Sequence, residues 1–349
     1  MGLFNIFKKQ ESPKSGFNEL TIKEVCPLTS ESVKISFALS DLQKKDFQFK
    51  PGQYLDIEAT IDDEKIRRSY SICSSNADEL SIGVKTVPNG KMSNFLHRIK
   101  PGGSLSVSMP KGSFTTSGIE EHIVCIAAGS GITPILSILS HSKAKKELFY
   151  VNKSLDQMMF KEELLNMSSL TKHFYFTQKS EENYLKGRLT KEVFIDRIKA
   201  DLTILKATAF FICGPHEMVI EIKEALKMFG VSDNKIKIEL FQAVVTDVPK
   251  ENVVFNGESL VEVVLDGEST NLILNSTKKT ILESLEAKGV DAPYSCRGGV
   301  CCSCKAKVLE GSVKMNVNYS LTDEEVAAGY ILACQALPAS SKIKISFDE

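Results

Sequence analysis

Four of the nine residues from Cys296 to Cys304, in the stretch SCRGGVCCSCKAKV, are cysteines, and two glycines lie between the first thiol and the next. Such a segment reads as a loop shaped around something, because bulky side chains would obstruct close wrapping and glycine does not. The whole chain carries nine cysteines, an odd number, and its start, MGLFNIFKKQESPKSG, has too short an apolar stretch for a secretory segment. A disulfide framework is therefore not expected. Clustered thiols in a reducing compartment, here the cytoplasm, point to metal or redox chemistry.

Cys296, Cys301 and Cys304 are spaced CxxxxCxxC, and Cys334 follows after twenty-nine further residues. This is the thiolate spacing of a plant-type [2Fe–2S] cluster with one distant ligand. Gly298 and Gly299 let the backbone turn its N–H groups toward sulfur. Zinc competes through the CxxC of Cys301 and Cys304, but no second CxxC follows and all five histidines lie at or before His216. A thioredoxin-like dithiol would open a helix, whereas a strand is expected directly after this loop. Cys302 reads as a small filler beside the ligands, and Cys26 and Cys125, among apolar strand neighbours, read as core thiols.

At 349 residues the chain has room for two or three domains at roughly 100–200 residues each. With 42% hydrophobic and 25% charged residues and a net charge of −1, neither a disordered chain nor a nucleic-acid surface is expected. No run of about 18 apolar residues predicts membrane insertion. Residues 1–15 read as a frayed tail. Short alternating stretches such as KISFAL, QYLDIEA and LSIGVK, separated by turns, predict an antiparallel β-barrel over 16–116. Buried strands alternating with helices (HIVCIAA, PILSILSHS, KELFYV, SLDQMMFKEELLN) predict a parallel α/β domain over 117–243. A polar linker at 244–257 leads to a small α+β module over 258–349. The fold class is thus multi-domain.

Two motifs stand in the barrel half. RRSYSICS holds Arg68, Ser69, Tyr70 and Ser71; GKMSNFLH holds Gly90, Lys91, Met92 and Ser93 at an apparent helix start, where free N–H groups suit an anion. Two more stand in the α/β half. AAGSGITP places Gly129, Gly131, Thr133 and Pro134 between a strand and a helix, as a dinucleotide loop would be. FFICGPHEM ends a buried strand with Cys213, Gly214 and Pro215. At the end of KELFYV stand Asn152-Lys153-Ser154, with no acid to take a ribose hydroxyl; Lys153 and Arg188 favour NADPH over the alternative, NADH.

In order, these motifs resemble the ferredoxin–NADP reductase family, and YSCRGGVCCSCKAKV with NYSLTDEEVAAGYILACQ around Cys334 resembles the plant-type ferredoxin module of phenylacetyl-CoA epoxidase reductase subunits. The resemblance implies FAD, a β-grasp fold and a [2Fe–2S] cluster. By position, Arg68 would neutralise the flavin pyrophosphate, Tyr70 would lie against the isoalloxazine, and Ser71 would bond near N5; Tyr70, Ser71 and Cys213 form the catalytic set. Glu239 and Phe241 either edge the flavin or merely end a strand. The implied activity is electron transfer from NAD(P)H through FAD and the cluster to a partner oxygenase, of the phenylacetyl-CoA epoxidase di-iron type. Ring-hydroxylating or steroid or alkane hydroxylase systems, and a flavin-based redox sensor, are the alternatives.

Overall fold

The computed structural model describes residues 16–76, 79–179, 184–241, 255, 257–275 and 279–349. The tail at 1–15 and, but for Phe255 and Gly257, the linker at 244–257 lie outside them. Among the described residues no helix is long and apolar enough to cross a membrane.

Strands β1 (Phe17–Thr29), β2 (Ser32–Ala38), β3 (Tyr54–Ile61), β4 (Glu64–Ser71), β5 (Leu80–Lys85) and β6 (Ser104–Ser108) form an antiparallel sheet ordered β4-β3-β6-β1-β2-β5. An Ile72↔Ile82 bridge joins the two outer strands, curling the sheet round a core of Leu20, Ile35, Leu55, Ile57, Ile82 and Val107. The β3–β4 register follows from its turn. Asp62 and Asp63 both adopt positive φ (52° and 59°), as a two-residue type I′ hairpin demands, so Tyr54 faces Ser71 and Asp56 faces Ser69. Helix α1 (Asp41–Asp46) opens on a Ser40–Gln43 capping box, and α2 (Lys91–His97) follows Gly90. Bulges in β1 near Ile22 and Pro27 shift its in/out alternation, and Cys26, expected in the core, is instead half-buried.

The second sheet is parallel throughout: β7 (His122–Ala128), β8 (Lys145–Asn152), β9 (Leu170–Phe176), β10 (Leu185–Lys186), β11 (Ala209–Cys213) and β12 (Ile236–Glu239), ordered β10-β9-β8-β7-β11-β12. Helices cover both faces, which is why β11 and, after His122, β7 are continuously apolar. Helices α3 (Ile132–His141) and α4 (Lys161–Asn166) pack with Ile123 and Cys125 on one side; α5 (Lys191–Ala200) and α6 (His216–Met228) pack with Val124 and Ile126 on the other. The helix expected over SLDQMMFKEELLN is cut short. Phe160 takes a left-handed φ of 56° before α4, and Met158, Met159 and Phe160 fill the core instead. Strand order reverses between β7 and β11, so the Gly129 loop and the Cys213-Gly214-Pro215 turn meet at the switch point where such sheets bind ligands.

In the third unit β13 (Glu258–Leu265) and β14 (Glu268–Asn275) form a hairpin on an Asp266–Gly267 turn. Helix α7 (Ile281–Ala287), capped by a Thr280–Glu283 box, buries Ile281, Leu282 and Leu285 against Val261, Leu272 and Ile345. Further along come β15 (Lys305–Glu310), β16 (Val313–Met315), α8 (Asp323–Ala327), β17 (Tyr330–Leu332), β18 (Ala336–Pro338) and β19 (Lys342–Ser346); the five-stranded sheet runs β14-β13-β19-β15-β17, and β16 pairs with β18. The strand expected directly after the cysteine loop is present as β15 and ends before Gly311 (φ 81°), where a Cβ would stand 2.1 Å from Lys342 O. The cysteine loop runs between α7 and β15.

Candidate active site

The end of β4 meets the end of β12 and the cysteine loop at one cavity of about 170 Å³, lined among others by Tyr54, Arg68, Ser71, Glu239, Cys296 and Cys301. Ser71 Oγ donates to Glu239 Oε2 at 3.3 Å. Burial pushes the Glu239 carboxyl up to about 8; the Ser71 bond opposes this and the charge of Cys301 adds to it. Burial likewise raises Tyr70 and Tyr54, keeping both phenols neutral. Arg68 is exposed at the rim, its guanidinium donating to Arg67 O at 2.6 Å. Phe241, 42% exposed, lines both this cavity and a larger one of about 800 Å³.

Gly129, Gly131, Lys153, Gly214 and Pro215 line that larger cavity. Its glycines serve two different ends. Gly129 holds φ 52° with nothing within 4 Å of where a Cβ would be, so the backbone there lies open to the cavity. At Gly131 a Cβ would stand 2.1 Å from Cys213 O, so only glycine lets the loop cross the end of β11. Thr133 and Pro134 are buried, and Thr133 Oγ1 donates to Ser130 O, fixing the loop from within. Lys153 and Arg188, both exposed, share a third cavity of about 460 Å³ with Thr177, Glu217 and Glu221. The Gly90–Ser93 turn stands one layer back: Val87 and Asn94 line the larger cavity, while Met92 and Ser93 are buried and Ser93 Oγ bonds Val87 N and Gly90 O. Lys91 pairs with Glu64 at 2.6 Å.

The four spaced cysteines fall into two pairs. Cys301 Sγ lies 3.1 Å from Cys296 Sγ, and the free thiols of Cys304 and Cys334 share a side-chain hydrogen bond. Among the described residues no three His, Cys, Asp or Glu converge on a single ion. Two thiol pairs suit two irons and not one tetrahedral zinc. The loop turns N–H groups onto the thiols: Gly298 N donates to Cys296 Sγ at 3.4 Å and Cys296 N to Cys301 Sγ at 3.5 Å. The Cys301 thiol, with the backbone N–H groups of Gly298, Val300 and Cys301, holds Cys296 below an ordinary thiol, and Cys304 with Gly299 N–H does the same for Cys334. Arg297 and Gly299 both take positive φ (56° and 73°), and a Cβ on Gly299 would crowd Val317 and Gln335. Cys302 faces away, its Sγ donating to Ser320 O at 3.5 Å.

Tyr54, Ser295 and Val300 line the site without a motif to announce them. The legible signal for Tyr54 was the Asp62–Asp63 turn, which sets it opposite Ser71.

Three family models match the chain: an oxidoreductase FAD-binding domain over residues 19–116, an oxidoreductase NAD-binding domain over 125–224, and a 2Fe-2S iron-sulfur cluster binding domain over 263–339. The chain is 36% identical to a 1,2-phenylacetyl-CoA epoxidase subunit from Escherichia coli K12, across 95% of this chain and 98% of that one. It is 32% identical to the ferredoxin reductase component of 3-ketosteroid-9-alpha-monooxygenase from Rhodococcus rhodochrous, across 94% and 96%. In fold it resembles phthalate dioxygenase reductase (TM-score 0.59, 21% identity, 95% of this chain and 98% of that chain). It also resembles an intact type IV self-sufficient cytochrome P450 monooxygenase (TM-score 0.71, 19% identity), of which the chain spans 41%. The chain belongs to the ferredoxin–NADP reductase-like oxidoreductases with a C-terminal plant-type [2Fe–2S] ferredoxin module, enzymes that join FAD-binding, NAD-binding and iron–sulfur domains for electron transfer.

Proposed function

We propose that this protein is the NADPH-dependent reductase component of an oxygenase system, delivering electrons to a di-iron oxygenase of the phenylacetyl-CoA epoxidase type. One observation carries the electron path: Cys296 and Cys301 line the same cavity as Ser71 and Glu239. When bound, the flavin accepts a hydride and the cluster passes its two electrons on singly, so one NADPH reduces two one-electron acceptors and releases a proton.

The chain's own residues orient these groups. Cys296 with Cys301, and Cys304 with Cys334, each hold one iron. Arg68 meets the flavin pyrophosphate, Tyr70 covers the ring, Ser71 bonds near N5, and the Gly90–Ser93 turn supports the second phosphate. Gly129, Gly131, Thr133 and Pro134 shape the nicotinamide dinucleotide loop; Cys213, Gly214 and Pro215 border the ring that gives hydride. Lys153 and Arg188, sharing one cavity, take the 2′-phosphate of NADPH. The modules divide at 16–116, 117–243 and 258–349, and nine free thiols suit a reducing cytoplasm. The 36% identity to the epoxidase subunit supports the choice of acceptor.

The test compares two acceptors in Cys301→Ser. Ferricyanide, which the flavin serves directly, should still be reduced by NADPH, while cytochrome c reduction should collapse. Full cytochrome c reduction in that variant would refute the path.

A further inference from the structure

Modules joined only by a linker need no buried charge where they touch. Between the first sheet and the cysteine loop there are two. Asp56 on β3 is 0% exposed, and its carboxylate accepts from Ser69 Oγ at 2.7 Å, Ser303 Oγ at 3.2 Å and Lys111 Nζ at 3.3 Å. Ser303 stands between Cys302 and Cys304. With its one proton on Asp56, its oxygen accepts from Tyr54 OH at 3.1 Å. Ser69 Oγ lies 2.8 Å from Ser295 Oγ, on the other flank of the loop.

Arg67, two residues before Ser69 on β4, is 2% exposed. Its guanidinium sits 5.0 Å from the Phe17 ring on the barrel side and 4.9 Å from the Tyr294 ring on the ferredoxin side. It donates to Asp291 Oδ2 at 2.8 Å and to Ala292 O at 3.4 Å, and it pairs with Glu58. The second domain closes the seat: Val300 is buried in its core cluster, and the Tyr319 ring meets His216 edge-on at 5.7 Å.

Apolar surfaces tolerate sliding, but buried charges do not. A module rotated or shifted at this interface would keep Lys111 on Asp56 and Glu58 on Arg67. It would take Ser303 from the first and Asp291 and Ala292 O from the second, leaving buried charged groups short of hydrogen bonds, a worse state than those contacts themselves are good. The pose seen here satisfies Asp56 and Arg67 together, and in it Cys296 and Cys301 line the same cavity as Ser71 and Glu239.

We propose that Asp56 and Arg67 are positioning residues: they select a single docked pose of the ferredoxin module, and each electron crosses from flavin to cluster in that pose without the module leaving its seat. The inference rests on the flavin reading given above. It adds that docking is static and is set by this interlock.

Asp291, on the half-exposed rim, is the place to disturb it without emptying the core. In the full-length holoprotein, Asp291→Lys sets a cation against Arg67 and Lys65. Cytochrome c reduction should fall on the order of tenfold, since small misplacements are costly to transfer steps. Ferricyanide reduction, flavin content and iron content should stay within about twofold of wild type, since none depends on the docked pose. Amide hydrogen exchange over 291–304 should quicken, and Asp291→Glu should restore both readouts. Faster exchange with an undiminished cytochrome c rate overturns the proposal, because the module would then work unseated. Unchanged exchange and rate overturn it too, because the interlock would then select nothing. A wild-type protein that fails to reduce cytochrome c would instead sink the electron path, and the inference with it.

Discussion

Ser71 Oγ donates to Glu239 Oε2 across 3.3 Å, tying the last residue of β4 to the last of β12 and so the barrel to the parallel sheet. Glu239 is raised from 4.5 to about 8, chiefly by burial. A carboxyl raised on folding binds its proton more tightly in the native state. Its contribution is therefore fully present below about pH 4.5 and is lost as pH rises through about 8. Glu239→Gln should flatten the fall in thermal stability between those limits, by up to about 5 kcal/mol at about 1.4 kcal/mol per unit of the rise from 4.5 to about 8. Parallel pH–Tm curves for the two proteins would contradict this.

Lys153 and Arg188 approach one cavity from different elements. Lys153→Ala and Arg188→Ala should each raise KM for NADPH on the order of tenfold, the size of one charge-assisted hydrogen bond, with little change for NADH. Steady-state kinetics with both dinucleotides decide it; equal changes would remove the 2′-phosphate assignment.

The two loop glycines should fail differently when given a methyl. Gly131→Ala meets the Cys213 carbonyl and should destabilise by about 2 kcal/mol or more in urea unfolding, as overpacking does. Gly129→Ala meets only open space and should cost about 1 kcal/mol from its left-handed φ, while weakening nucleotide binding far more. A reversed order would mean that the loop lies otherwise.

Cys302 offers an internal control for the cluster. Its thiol faces Ser320 O and not the paired sulfurs, so Cys302→Ser should keep its iron and visible spectrum, whereas Cys301→Ser or Cys334→Ser should lose both. Iron analysis of the three variants checks this, and loss in Cys302→Ser would reassign the ligands.

Much of the site was legible because its chemistry is local. The CxxxxCxxC spacing and Gly298-Gly299 dictate a wrapping loop whatever surrounds it, and the Gly129–Pro134 loop is fixed by one strand and one helix. What stayed hidden depends on distant partners. Asp56 looked like any alternating strand residue until Ser303, far along the chain, closed over it. Arg67 could not be told from a solvated neighbour of Arg68 without Asp291 and Tyr294. The helix read through SLDQMMFKEELLN was apolar enough, but Phe160 is needed in the core and bends the backbone to reach it.

On the proposed path, electrons from the nicotinamide reach iron held by Cys296, Cys301, Cys304 and Cys334. Anaerobic titration of the purified protein with NADPH, followed by visible absorption and low-temperature electron paramagnetic resonance, tests it most directly. The flavin band should bleach and a reduced [2Fe–2S] signal should grow in with it, absent from Cys301→Ser. A bleached flavin with no paramagnetic iron signal in the wild-type protein would contradict the account.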